Sequence, residues 1–364
     1  MKQSTKKYLL LFNCMIIAIV AVIASVLDSK DVENVRQVSI TTPIAVSTYT
    51  DTVFCPSAKA AVLIDAKSGA VLYEKNSNVR LPMASTTKIM TALCVLEQSD
   101  PDDVISVTKE SSGIEGSSIY LKAGEKITVN DLLYGLLLES GNDAAHALAV
   151  GVFGSEKACT EYMNKRAHEM GLVSTNFENV HGLDSENHYT TAYELALIAK
   201  EAMKNGIFRQ IVSSKTYTTN GEIQRFFSNH NRLLVTTDYV TGVKTGYTSK
   251  SGRCLVSSAV DGEKEYIAVT LCDRNDWNDH KAMLTYAMDN YDVTQIVSDK
   301  DSVFRVGFDD YIAYDDIYLT FPKGDEPIIG YKVTIDLLQG IGRAEYYADG
   351  VPIGHFGVEL LDRD

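Results

Sequence analysis

The chain has no excess of positive charge. Of its 364 residues, 34 are Lys or Arg and 48 are Asp or Glu, for a formal net charge of −14. Proteins that grip phosphate backbones concentrate basic side chains on one face to release counterions, so nucleic acid is excluded as a partner. Cysteine is sparse: there are six, with no CxxC pair and no close Cys/His cluster. A zinc site is therefore not expected. There is no internal repeat and no low-complexity tract. No Gly-x-Ser-x-Gly supplies a nucleophile for His181 and Asp184, which lie close in sequence, so a His-based triad has no serine context and His181 reads as a turn residue.

What is present begins with Lys2, Lys6 and Lys7 ahead of an uncharged apolar run from Tyr8 to Leu27. Basic residues directly before such a run form an export signal. The run is long enough to cross a bilayer, and Val22-Ile-Ala24 offers a small-residue cleavage site, so residues 1–27 read as a signal peptide or an N-terminal membrane anchor, with cleavage favoured. Cys14 lies inside the run, leaving five cysteines in the exported part. Five is odd, so at least one thiol is unpaired; Cys94 and Cys272, in apolar surroundings, read as small hydrophobes.

Residues 28–54 are Ser/Thr/Val-rich without helical period and read as a linker. Ala60-Ala-Val-Leu-Ile-Asp65 and Ala70-Val-Leu-Tyr73, joined by Ala66-Lys-Ser-Gly69, predict a β-hairpin. From Thr86 the spacing of Ile89, Met90, Leu93 and Leu96 predicts a helix, and further helical pattern flanks Ser140-Gly-Asn142 and covers Ser155 to Met170 and Thr191 to Lys204. Strands follow at Tyr239 to Lys244, Arg253 to Val260 and Tyr266 to Cys272, then a helix from about Trp277 to Tyr291. After Val293 short alternating segments predict a small β-sandwich, at Asp316 to Phe321, Tyr331 to Asp336 and His355 to Leu361. The expected architecture is a mixed α/β (α+β) catalytic domain over 55–292, an antiparallel sheet flanked by helices, and an all-β domain over 293–364.

Three short words carry the chemistry, and each occurs three times. Ser-x-x-Lys starts at Ser4, Ser85 and Ser106; Ser-x-Asn at Ser140, Ser174 and Ser185; Lys-(Ser/Thr)-Gly at Lys67, Lys244 and Lys250. Ser4 lies in the export signal, and Ser106 and Lys109 fall on opposite faces of an alternating strand pattern. Ser85 instead opens a helix, so Lys88 lies one turn later on the same face. A serine hydroxyl is a weak nucleophile, and a lysine in a dry, positively charged pocket can lose its proton and act as its base. Ser140 and Asn142, in a turn between two helices, can point a hydroxyl and an amide into one cleft: Ser140 to relay a proton to the leaving group, Asn142 to hold a substrate amide and orient Lys88. Lys244, Thr245 and Gly246 end one strand ahead of another, where Lys244 and Thr245 can bind a carboxylate and Gly246 admits a close backbone approach. Lys67 and Lys250 fall in turns and read as solvated.

Taken together, Leu63-Ile-Asp-Ala-Lys-Ser-Gly69, Pro82-Met-Ala-Ser-Thr-Thr-Lys88, Leu137-Leu-Glu-Ser-Gly-Asn-Asp-Ala-Ala145, His181-Gly-Leu183 with Tyr189-Thr-Thr-Ala192, and Gly242-Val-Lys-Thr-Gly-Tyr-Thr248 resemble the D-alanyl-D-alanine carboxypeptidase family of low-molecular-mass penicillin-binding proteins. The resemblance covers nearly the whole exported chain. It implies removal of the terminal D-alanine from peptidoglycan stem peptides through an acyl-enzyme, inhibition by β-lactams through Ser85, and no cofactor. It also implies an oxyanion hole from the backbone N–H groups of Ser85 and Tyr247, a site on the outer face of a bacterial membrane or in the wall, and a C-terminal module that holds the active site off the membrane. Several relatives end in an amphipathic helix that docks on the membrane. Here Val358-Glu-Leu-Leu-Asp-Arg-Asp364 is too short and acidic for that, so anchoring is expected only through the N-terminal segment.

Rival readings share parts of this pattern. A β-lactamase also needs a group that hydrolyses the acyl-enzyme rapidly, and the separate glutamate of the class A enzymes has no counterpart identifiable here. A DD-endopeptidase would use the same dyad on cross-links. A catalytically silent wall-binding, penicillin-sensing module would have no need of Ser85, Lys88, Ser140, Asn142 and Lys244 together.

Overall fold

The computed structural model describes residues 54–297 and then 303–306, 309–313, 317–327, 329–336, 341–348 and 351–360. The export segment and almost all of the linker lie outside the described residues. Among the described residues no helix is long and apolar enough to cross a membrane.

β1 (Ala60–Asp65) and β2 (Val71–Lys75) form the expected antiparallel hairpin. Every β1 side chain is buried. Alternate residues serve two cores: Ala60, Val62 and Ile64 join the helical side, Ala61 and Leu63 the opposite side with Leu255, Met283 and Leu284. A strand buried on both faces reads as a continuous apolar run, and each large side chain so buried contributes roughly 1.5–3 kcal/mol.

A 3-10 turn, Ala84–Thr87, leads into α1 (Lys88–Gln98). The sequence pattern places a helix from Thr86, but the first turn is tighter. The Thr86 and Thr87 hydroxyls donate back to the carbonyls of Met83 and Ala84 at 2.6 and 2.8 Å, which favours i to i+3 geometry. The short strands β3 (Val104–Ser106) and β4 (Lys126–Thr128) pair ahead of α2 (Val129–Leu137), α3 (Asn142–Phe153), α4 (Glu156–Glu169), α5 (Ala192–Lys204) and α6 (Gly206–Ser213). Thr128, Ser155, Thr191 and Asn205 cap α2, α4, α5 and α6 with side-chain oxygens that accept first-turn N–H groups.

The paired strands β5 (Thr216–Thr218) and β6 (Phe226–Ser228) and the short helix α7 (Arg232–Thr236) lead to β7 (Val240–Thr248), β8 (Gly252–Asp261), β9 (Lys264–Leu271) and α8 (Asp276–Asn290). The central sheet is antiparallel in the order β2-β1-β9-β8-β7, with α5 against β1 and β9, and α8 against β8 and β9 on the other side. β7 is thus an edge strand, and it packs against the 3-10 turn.

After α8 the chain forms β10 (Tyr291–Val297), β11 (Val303–Val306), β12 (Asp309–Ala313), β13 (Ile317–Pro322), β14 (Ile329–Asp336), β15 (Ile341–Ala348) and β16 (Val351–Leu360). β10 pairs with β13, and the rest form a sheet ordered β11-β12-β16-β15-β14. Ser68 Oγ lies 2.6 Å from Thr320 Oγ1, and Lys67 Nζ sits 4.8 Å over the Tyr318 ring, so the β1–β2 turn touches β13. Lys67 is therefore not the freely solvated turn residue its sequence context suggests.

Candidate active site

Ser85 sits in the 3-10 turn and Lys88 is the first residue of α1. Lys88 is fully buried, with Nζ 3.0 Å from Ser85 Oγ, 2.7 Å from Asn142 Oδ1 and 2.6 Å from the His181 carbonyl oxygen. The amide of Asn142 is oriented by its Nδ2, which donates to the Glu115 carbonyl at 2.6 Å, so Oδ1 faces the lysine. Two of the three neighbours of Nζ can only accept. A neutral amine has two N–H bonds and one lone pair. With its hydrogens given to Asn142 and His181, the lone pair is left facing the Ser85 hydroxyl. Burial, and then the charge of Lys244, hold Lys88 well below the usual lysine range, with Asp143 opposing.

Ser140 and Gly141 form the turn between α2 and α3. Ser140 is buried with a left-handed φ of 61°, a conformation uncommon outside glycine and enriched at functional sites. Asp143 braces this turn: its carboxylate accepts the Ile119 and Leu121 N–H groups at 3.0 and 3.1 Å and the Ser118 hydroxyl at 2.6 Å. The Asn142 N–H donates to the Ser117 carbonyl at 2.7 Å, bringing the 117–121 loop to the cleft.

On β7, Lys244 is buried and its Nζ donates to the Thr245 carbonyl at 3.0 Å. Burial pushes its ammonium down to about 7, against the pull of Glu139. A Cβ on Gly246 would stand 3.1 Å from the backbone nitrogens of both Ser85 and Thr86, so any larger residue there would push the strand and the 3-10 turn apart by a few tenths of an ångström. Gly182 is constrained more strongly: φ is +92°, and a Cβ would meet the Ala84 carbonyl oxygen at 1.9 Å.

Ser85, Ser140, Thr245, Gly246 and Tyr247 line one open cleft of about 520 Å³, with Lys88, Asn142 and Lys244 buried behind it. Every residue singled out from the three sequence words is therefore gathered here. Ser106 and Lys109 are far apart in role, Ser106 ending β3 and Lys109 lying in a turn, and Lys250 is exposed in the turn after β7. His181 contributes its carbonyl, and its ring is turned elsewhere: Nδ1 accepts the Leu183 N–H at 3.2 Å and Nε2 faces Glu156 at 3.6 Å. That carboxylate favours a charged ring, but burial and the charges of Lys88, His188 and His146 outweigh it and push His181 down to about 3. Asp184 accepts the Thr248 hydroxyl at 2.9 Å, whereas the His181 ring has Leu183 and Glu156 as its partners. The carbonyls of Glu115 and His181 and the brace at Asp143 carry no side-chain signature of catalysis; beside the two carbonyls the sequence offers only the glycines Gly116 and Gly182, which the structure shows at positive φ. Ser117, His230, Arg253, Asp276 and Trp277, also on the cleft, had no motif to mark them.

The family model described as D-alanyl-D-alanine carboxypeptidase matches residues 48–275. The chain belongs to this D-alanyl-D-alanine carboxypeptidase family. It is similar to D-alanyl-D-alanine carboxypeptidase DacF of Bacillus subtilis, 39% identical over 261 residues that make up 68% of this chain and 67% of the relative. DacD of Escherichia coli is 32% identical over 333 residues, covering 83% of this chain and 85% of the relative. Among solved structures, penicillin binding protein 5 from Haemophilus influenzae superposes with a TM-score of 0.72 at 29% identity, over 84% of this chain and 97% of that one. The D-alanyl-D-alanine carboxypeptidase is a serine-type hydrolase with the mixed α/β fold of the penicillin-binding proteins, for which β-lactam binding is characteristic.

Proposed function

We propose that this carboxypeptidase removes the terminal D-alanine from peptidoglycan stem peptides outside the bacterial cytoplasm, with Ser85 as nucleophile and Lys88 as its general base. The observation that carries the reading is the contact set at Lys88: once its amine is neutral, the two obligate acceptors Asn142 Oδ1 and the His181 carbonyl take its hydrogens and leave the lone pair for the Ser85 hydroxyl. Lys244 and Thr245 bind the substrate's terminal carboxylate, and Gly246 lets the peptide lie against β7. Ser85 Oγ attacks the penultimate carbonyl carbon while its proton passes to Lys88 Nζ, and the oxyanion is held by the backbone N–H groups of Ser85 and Tyr247. Ser140 passes the proton to the departing D-alanine nitrogen, and Asn142 holds the substrate amide oxygen and orients Lys88. Water then hydrolyses the ester, and no metal or cofactor takes part.

β-Lactams acylate the same serine. Residues 55–292 form the catalytic domain and 293–364 a β-domain that spaces it from the membrane; residues 1–27 direct export, as cleaved signal or anchor, and 28–54 are a linker. The test is D-alanine release from an acylated tripeptide ending in D-Ala-D-Ala, beside a cross-linked peptide dimer. Release from the first that is lost in Ser85→Ala supports the reading; cleavage of the dimer alone assigns an endopeptidase.

A further inference from the structure

The cleft contains a group that neither the acyl-transfer step nor carboxylate binding at Lys244 uses. Arg253 on β8 lies opposite Tyr247 on β7, so the two side chains share a face of the sheet. Its guanidinium is held in a fork by Asp276, the first residue of α8, with Nε to Oδ2 at 3.0 Å and Nη2 to Oδ1 at 2.5 Å. It also lies 5.4 Å over the ring of Trp277, the single tryptophan of the sequence. All three residues line the same cleft as Ser85.

Asp276 is almost wholly buried, whereas the Arg253 side chain is 42% exposed, so the pair turns its positive end to the cleft. The fork uses Nε and one hydrogen of Nη2. One hydrogen of Nη1 and the second of Nη2 remain together on the outer edge, which matches a carboxylate in bidentate geometry. Stacking and pairing have already fixed the side chain, so little rotamer freedom is lost when a ligand binds.

The direction of the substrate, which rests on the reading given under Proposed function, decides what meets this edge. With the terminal carboxylate at Lys244 and Thr245 and the scissile carbonyl beside Tyr247, the remaining peptide runs past Tyr247 along the free edge of β7. A residue paired beside Tyr247 directs its side chain to the face that Tyr247 and Arg253 share. Arg253 is one strand further in, so only a long side chain reaches it. We infer that Arg253, fixed by Asp276 and Trp277, is a specificity-determining residue that receives a side-chain carboxylate on the substrate residue preceding D-Ala-D-Ala.

The test compares kcat/KM for two N-acylated tripeptides ending in D-Ala-D-Ala, one with L-2-aminoadipate and one with Nε-acetyl-lysine as the first residue. The expected result is a preference for the aminoadipate peptide of about ten-fold, the size of one charge-assisted hydrogen bond. Arg253→Gln should shrink that ratio toward one. Because this change strands a buried carboxylate, the double variant Arg253→Gln/Asp276→Asn, which removes both charges, is measured beside it, with benzylpenicillin acylation reporting a folded cleft. Equal kcat/KM for the two peptides in the wild type, or an unchanged ratio in the acylating double variant, overturns the inference. Failure of the wild type to be acylated by benzylpenicillin overturns the underlying active-site reading instead, so the two failures are distinguishable.

Discussion

At Lys88, burial lowers proton affinity while Asn142 Oδ1 and the His181 carbonyl fix the direction of the lone pair. Lys88→Ala should therefore slow benzylpenicillin acylation by ~10²–10⁴-fold, the usual contribution of a general base, without loss of folding. In the wild type the acylation rate should rise with pH as Lys88 loses its proton and level off well below the ordinary lysine pKa of about 10.4. Stopped-flow acylation across pH checks both. A rate that keeps climbing up to the ordinary lysine pKa would mean that Lys88 is not depressed. The pairing of Ser85 with Lys88 was legible because three-residue spacing at a helix start has a mechanical meaning. The His181 carbonyl that accepts from Lys88, and the Glu115 carbonyl that turns Asn142 Oδ1 toward it, were not, because they are backbone groups brought in from distant positions in the chain.

At the scale of elements, the site is a contact between a 3-10 turn, the α2–α3 turn and an edge strand. Gly182→Ala would drive a Cβ into the Ala84 carbonyl and displace the turn that carries Ser85. The expected outcome is a loss of roughly 1–3 kcal/mol in stability, read by thermal unfolding, with a larger proportional fall in acylation. At the start of α8, burial and then the neighbouring Asp273 raise Asp279 to about 6. A carboxyl raised in the folded state gives stability that is complete below its unfolded pKa and is lost as pH rises through the folded value. Asp279 therefore costs stability as pH rises from about 4 to about 6. His280, pushed down to about 3 by burial, acts in the opposite sense over about 3 to 6.5. Comparing Asp279→Asn with wild type isolates the first effect: the variant should melt higher at pH 7 by the equivalent of about 1 kcal/mol once solvent screening is allowed for, and the gap should close at pH 4. A gap that is constant with pH would show that Asp279 does not titrate in this window.

Over the whole molecule, most strands and long helices were legible because β1, β8 and β9, buried on both faces, read as short continuous apolar runs, and period 3.6 is written in the apolar positions of α1 and α5. The short pieces were not: α7 is five residues and β5 and β6 three each, too short to hold a period. The contact of the β1–β2 turn with β13 joins residues far apart in the chain, which no local pattern records. The odd cysteine count required one free thiol, and all five described cysteines are free. Cys94 is buried as its apolar neighbours indicate, whereas Cys272 is partly exposed at the end of β9. Adding a reductant should accordingly leave the melting temperature unchanged, as differential scanning calorimetry would register; a drop would reveal a disulfide.

The central claim is that Ser85 forms the covalent bond, and intact mass followed by peptide mapping of the exported region after incubation with benzylpenicillin tests it most directly. The account requires a single penicilloyl adduct on the peptide carrying Ser85, absent in Ser85→Ala and retained in His181→Ala. An adduct on another residue, or none on folded protein that still releases D-alanine, would contradict it.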